Sequence, residues 1–165
     1  MKIKYIIIVV LVVIIGILAG VYFFQNEEKK VKRQFYLLSE WASKEEGENT
    51  FTMAHKVKSI GTLFTEHCEF KADIISFSGR FNSEEVSGYA ARARLPFSKL
   101  SLQFYDLDVS FPEKGMAKVT LTGKLTGRLT SGEYVDETHE LECVLKKIEN
   151  KWLFSDVEVV EILKK

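Results

Sequence analysis

Between residues 98 and 163 the chain alternates apolar and polar positions in four long runs separated by short turns. In the second run Ala117, Val119, Leu121, Gly123, Leu125, Gly127 and Leu129 share one parity, and Lys118, Thr120, Thr122, Lys124, Thr126, Arg128 and Thr130 share the other. Side chains on a strand point to alternate faces, so this run predicts a strand with one buried and one wetted side. The first run keeps Leu100, Leu102 and Phe104 in phase and then slips by one residue to Leu107, Val109 and Phe111. That slip predicts a bulge at Tyr105 or Asp106 and a bend in the sheet. The third run puts Val135, Leu141, Cys143 and Leu145 on one parity. The fourth is apolar on both, with Trp152 and Phe154 opposed to Leu153, Val157 and Val159, as expected of a strand that is central or covered on both sides. With turn signals at 112–115, 131–132 and 149–150, the four runs predict one large antiparallel sheet.

The first part of the chain follows other periods. Residues 5–24 carry no charge and are dominated by Ile, Val and Leu. As a helix this run spans roughly 30 Å, the thickness of a bilayer's hydrocarbon core. It is longer than the apolar region of a cleaved signal peptide, and no clear cleavage site follows Leu18-Ala19-Gly20, so residues 1–25 read as an uncleaved anchor and 26–165 as the folded domain. Lys29, Lys30, Lys32 and Arg33 outnumber Lys2 and Lys4, a count that alone places the domain in the cytosol. The short N-terminal tail before the apolar run has the layout of a signal-anchor, which places the domain on the outer, periplasmic face of an inner membrane, the orientation expected here. A helix is predicted over 26–46, capped by Asn26 and ended by Gly47, with Val31, Phe35, Leu38 and Ala42 on one face. A second begins near Thr52 after Asn49 and Thr50, with Met53, Val57, Ile60 and Phe64 at helical spacing. Cys68, Phe70, Ala72 and Ile74 then alternate with charged residues as a short strand. Asn82 with Glu85 forms a capping-box pair, flanked by Phe81 and Val86, and opens a third helix over 83–95 that Pro96 stops. Its inner face carries Val86, Tyr89, Ala90 and Ala93, with Arg92 and Arg94 pointing elsewhere.

Composition narrows the function classes. Lys and Arg total 23 and Asp and Glu total 23, giving a formal net charge of zero with both signs interspersed. Nucleic acid is excluded as a partner because no basic field is present to neutralise phosphates. Cys68 and Cys143 lie far apart, in no spacing used by zinc or by redox dithiols, and both fall on apolar parities. Buried free thiols are expected, with one disulfide as the alternative in an oxidising compartment. No metal or cofactor is implied.

Two helices, a strand, a third helix and four long strands, ending in Lys151-Trp152-Leu153-Phe154 followed by Asp156-Val157, resemble the nuclear transport factor 2-like fold, also called SnoaL-like or cystatin-like. The resemblance covers about residues 30–163. It implies an α+β domain in which a curved antiparallel sheet wraps three helices into a cone, here behind an N-terminal transmembrane helix. Enzymes of that fold include ketosteroid isomerase, scytalone dehydratase and limonene epoxide hydrolase, beside many non-enzymatic modules. Fold alone does not choose among them.

Polar residues on apolar parities are the candidates for chemistry inside such a cone. Glu137 and His139 form one such pair, and a histidine beside a carboxylate is a general base at neutral pH when both face a substrate. Tyr89 on the third helix is a candidate for the same cavity. Asp106 and Asp108 fall on the wetted parity after the bulge, and His55 and His67 have no metal-ligand spacing. No local motif carries over the catalytic residues of the enzymes, so the leading expectation is a membrane-anchored, non-enzymatic binding or scaffolding domain of the cell envelope. Its layout is similar to the inner-membrane assembly proteins of type IV secretion machines. Protein partners or self-association would use the exposed Thr and Lys face of the second long run. The alternative is a carrier of a small hydrophobic ligand, or an isomerase- or hydratase-like enzyme, using Tyr89, Glu137 and His139.

Overall fold

The computed structural model describes residues 2–72 and 76–162, with side chains from residue 8 to residue 160 in those segments. Ile74 of the expected first strand and Leu163 of the expected last one lie outside the described residues. The chain divides into two compact units, Met1–Lys30 and Val31–Lys165. Its elements are α1 (Lys2–Ala42), α2 (Thr50–Gly61), β1 (Phe64–Ala72), β2 (Phe77–Phe81), α3 (Ser83–Arg94), β3 (Phe97–Glu113), β4 (Met116–Leu129), β5 (Tyr134–Ile148) and β6 (Lys151–Ile162).

Helix α1 passes through Asn26 without interruption, so Asn26 caps nothing. No Gly or Pro separates the apolar run from the helix after it, and the preceding turn already supplies carbonyls to the backbone N–H groups that a cap would serve. In the first unit the side chains from Ile8 to Phe24 are exposed along their apolar length, Ile14 at 48% and Tyr22 at 75%. This one helix is long and apolar enough to cross a membrane, by length and composition. At its far end α1 stops at Ala42 instead of Glu46, and Gly47 with φ 78° turns the loop that follows.

The second unit is a mixed six-stranded sheet in the order β2-β1-β6-β5-β4-β3. Strands β3 to β6 are antiparallel, as the alternation requires, whereas β1 runs parallel to β6. The expected short strand pairs as a hairpin with β2, a strand that the sequence reading passed over. Its alternation is plain afterwards, with Phe77, Gly79 and Phe81 on one face and Ser78 and Arg80 on the other. The expected bulge in β3 is present: Asp106 has φ 55° and the register with β4 shifts between Tyr105 and Asp108. Glu149 and Asn150, with φ 47° and 68°, make the tight turn between β5 and β6.

Strand β6 is central, between β1 and β5. Its two apolar parities have a second cause. Leu145 opposes Phe154 and Val144 opposes Asp156, leaving Ser155 as an extra residue that switches the inward phase from Trp152 and Phe154 to Val157. The bulged Ser155 is buried, and its hydroxyl donates to the Val144 carbonyl at 3.2 Å.

The inner face of the sheet and the three helices bury a core that includes Val31, Phe35, Ile60, Val86, Val119, Leu145 and Phe154. Phe35 of α1 meets Phe104 and Phe154 edge-on, with ring centroids 5.5 and 4.9 Å apart. Helices α2 and α3 cross at Gly61, where a Cβ would stand 2.2 Å from Ser87 Oγ and 2.5 Å from the Ser83 carbonyl oxygen. Helix α3 starts on the expected capping box: the Asn82 side chain accepts from Glu85 N at 2.9 Å, and the Glu85 carboxylate accepts from Asn82 N at 2.8 Å.

One expectation about α3 is corrected. Arg94 does not point away; its side chain is 2% exposed and turns into the junction of the helices. Nε donates to the Ala42 carbonyl at 3.0 Å, and Nη2 donates to the Ser43 carbonyl at 2.9 Å and to Glu48 at 2.8 and 3.0 Å. Lys56 of α2 donates to the same Ser43 carbonyl at 2.9 Å and to Glu48 at 2.8 Å. Lys44 then donates to the Phe97 carbonyl at 2.6 Å, and its backbone pairs with Leu100 of β3. A helical arginine two residues before a proline reads from sequence as solvated. Here the carbonyls freed where α1 ends give it partners.

These contacts predict the outcome of three substitutions. Gly61→Ala should lower stability by about 1–3 kcal/mol through overpacking, despite alanine's higher helix propensity. A variant with an unchanged unfolding midpoint would show that α2 and α3 do not approach this closely. At Glu48, burial raises the carboxyl pKa, but the Lys56 hydrogen bond and the Arg94 charge outweigh it and hold the group below the usual glutamate value. Its stabilisation is therefore complete above about pH 4.3 and is lost as pH falls through the lower folded value. Glu48→Gln should flatten that acid limb of the stability profile, and Arg94→Met should cost about 3–5 kcal/mol at neutral pH by leaving the buried carboxylate with only one of its two cationic partners.

Candidate functional site

Inside the second unit the core does not close completely. A cavity of about 320 Å³ lies between the concave face of the sheet and the helices. Its size is at the lower end for small-molecule sites, which run from about 300 to 1,000 Å³. Phe35 and Leu38 of α1 and Ile60 of α2 line it, together with Phe64 and Phe70 of β1, Phe77 and Phe81 of β2, and the Val86, Tyr89, Ala90 and Ala93 face of α3. Phe104, Leu141, Cys143, Phe154 and Val157 complete the wall from β3, β5 and β6. Seven of the chain's twelve phenylalanines are here, so the aromatic content is concentrated at one place instead of spread through the core.

The rings hold one another. Phe64 packs against Phe154 and Phe70 at 5.1 and 5.6 Å, and Phe70 meets Phe81 at 5.7 Å. Phe81 stacks on Phe77 at 5.6 Å and touches the Tyr89 ring edge-on at 5.0 Å. Two glycines make room. At Gly79 a Cβ would lie 2.6 Å from the Phe81 ring, and at Gly123 it would lie 2.8 Å from Leu141 Cδ1 and 3.7 Å from Phe104. A side chain at either position would displace a wall residue, Phe81 or Leu141. The mouth is at Phe77 and Tyr89, which line the cavity and are also 37% and 46% exposed.

Almost nothing polar faces inward. The wall's heteroatoms are the Tyr89 hydroxyl and the Cys143 thiol. Burial pushes the Cys143 thiol up to about 12, with the neighbouring Cys68 adding to the effect, so it stays protonated and unreactive. Cys68 is likewise raised to about 12, by burial and then by the Asp156 and Glu69 carboxylates. Both cysteines are buried with free thiols. No group of His, Cys, Asp and Glu suited to a metal ion occurs among the described residues.

The three sequence candidates separate. Tyr89 is on the cavity wall, on the inner face expected of it. Glu137 and His139 pair with Leu125 and Gly123 across the β4–β5 ladder, which puts them on the concave side of the sheet, yet neither lines the cavity. Along β5, Cys143 is buried, Leu141 half-buried and Glu137 exposed. The two side chains do meet, His139 Nε2 lying 3.5 Å from Glu137 Oε2, while His139 Nδ1 is buried with no partner among the described residues. Asp106 and Asp108 are exposed, as their parity requires. What the sequence reading missed is the aromatic wall, and the signal was available in the recurrence of Phe64, Phe70, Phe77 and Phe81 across two strands.

No protein-family model and no curated protein matches this chain. Solved structures do. An NTF2-like protein with a cystatin-like fold from Novosphingobium aromaticivorans aligns with a TM-score of 0.66 at 12% identity, covering 86% of this chain and 85% of that one. Hexachlorocyclohexane dehydrochlorinase LinA-type3 from Novosphingobium barchaimii aligns with a TM-score of 0.68 at 6% identity, covering 85% and 88%. The Kfla4162 protein from Kribbella flavida aligns with a TM-score of 0.71 at 8% identity, covering 85% and 93%. At such identities the likeness shows the fold alone, and that fold is the nuclear transport factor 2-like, SnoaL-like or cystatin-like cone.

Proposed function

We propose that this protein is a membrane-anchored, non-catalytic binding domain that takes a small apolar molecule into the cavity of its cone. The aromatic wall carries this reading. A recess lined by phenylalanines favours an apolar guest, because every part of the guest it covers leaves water and meets carbon, at roughly 25 cal/mol per Å². Catalysis needs a group able to hold or move a proton at the reacting atom. The wall offers the Tyr89 hydroxyl and a thiol that stays protonated, while Glu137 and His139 stand beyond it.

The anchor rests on the apolar residues of α1, which meet the length and composition required to cross a bilayer. The signal-anchor layout favours the outer face for the folded domain. The outer face of the sheet gives less support to scaffolding of the type IV secretion kind. Both lysines of the β4 face are matched within the sheet, Lys118 to Glu142 at 2.9 Å and Lys124 to Asp136 at 3.4 Å. Such a face is largely self-neutralised, which leaves little charge pattern for steering a partner.

The test is thermal unfolding of the full chain in lipid nanodiscs with and without naphthalene. Ligand at ten times its Kd should stabilise the folded state by about 1.4 kcal/mol, a rise in Tm of a few degrees. Ala90→Trp, which fills the cavity from α3, should abolish the rise. An unchanged Tm for the parent chain, or an equal rise in both chains, would remove the cavity from consideration as a binding site.

A further inference from the structure

The mouth of the cavity is chemically unlike its wall. Tyr89 faces both, and the Arg92 guanidinium lies over its ring, 5.3 Å from the centroid. Arg92 is exposed, and among the described residues it has no carboxylate partner. The Tyr89 hydroxyl has no hydrogen-bond partner among them either. Cations on the adjacent strands are engaged, Lys71 with Glu158 at 2.9 Å and Arg80 with Glu69 at 2.6 Å. At the rim of an otherwise apolar cavity, a planar five-donor cation is therefore held by an aromatic face with its hydrogen-bonding edge uncommitted.

We infer that the guest is an amphipathic monocarboxylic acid. Its apolar body, aryl or arylalkyl, occupies the phenylalanine-lined cavity, and its carboxylate meets Arg92 at the mouth beside Tyr89. The proposal rests on the cavity being a binding site and adds the class of molecule it selects. Three physical points fix the class. A guanidinium matches a carboxylate in two parallel hydrogen bonds, a geometry that neither an alcohol nor an amide can copy. A single cation at the mouth balances a single negative charge, whereas a dianionic head would be left half-neutralised. A guest ring can pack edge-on or offset against the phenylalanines of the wall, which favours an aryl body over a saturated chain of equal area.

The probes are naphthylacetate and its uncharged counterpart naphthylacetamide, which share a body and differ in charge at the head. Binding to the full chain in nanodiscs is followed by titration calorimetry, with protein-free nanodiscs as the blank. The acid is expected to bind about tenfold more tightly than the amide, the effect of one charge-assisted pair at a partly exposed site. Arg92→Gln should erase that difference and leave amide binding unchanged, and Arg92→Lys should restore part of it. Added salt should weaken the acid and not the amide. If acid and amide bind alike and Arg92→Gln alters neither, the carboxylate assignment is overturned and the cavity remains an apolar site. If neither probe binds, or Ala90→Trp leaves the binding of both unchanged, the cavity reading itself fails and this inference falls with it.

Discussion

A buried arginine sets the frame on which the cone is assembled. Taking a guanidinium and a carboxylate out of water costs several kcal/mol for each, and the loss is offset only where directional partners meet them. Arg94 finds those partners at the end of α1, in the loop that follows, and through Glu48 at Lys56 of α2. All three helices therefore converge on one polar node. Burial of apolar side chains tolerates a few ångström of sliding, whereas hydrogen bonds of 2.8–3.0 Å do not. The node supplies position, and the apolar faces supply most of the driving force.

That division explains how a cavity persists in a unit that otherwise packs tightly. With the helix ends fixed at the node and the crossing of α2 and α3 set by Gly61, the helices cannot settle further onto the sheet. The wall facing them consists of rings that pack on one another across β1, β2, β6 and α3, tilted where Phe64 meets Phe154 and edge to face where Phe81 meets Phe70 and Tyr89. Aromatic side chains have few rotamers and brace one another, so they leave a gap that flexible aliphatic chains would move to fill.

Much of this was legible in the residues, and the reasons for the rest are specific. Period-2 runs marked β3 to β6, and the phase slip at Tyr105 marked a bulge, because both are local consequences of strand geometry. The Asn82 and Glu85 pair marked the start of α3 for the same reason. The false cap at Asn26 shows the limit of local signals: a residue that can start a helix does so only where the preceding residues are not already helical. Arg94 could not have been read as buried, since its partners come from a helix end more than fifty residues away. The phenylalanines were visible one by one, but their convergence depends on β1 pairing in parallel with β6, a long-range contact that no window of sequence contains. Glu137 and His139 were on the concave side as their parity required, yet neither belongs to the wall, which alternation along one strand does not reveal.

The place of β6 has a consequence for how the chain is made. It is the last of the six described strands in chain order, yet it lies inside the sheet, between β1 and β5. Until it arrives the sheet exists as two pieces, the β1–β2 hairpin and the β3–β4–β5 meander, each with an open edge where β6 belongs. Joining them closes a loop that spans most of the folded unit, the kind of non-local step that makes assembly slow. During that interval β1 and β5 keep unpaired edges, and any chain released before Lys151 would present them to other chains. Assembly of the sheet thus turns on the twelve-residue strand β6, which completes the wall and joins the two pieces in one event.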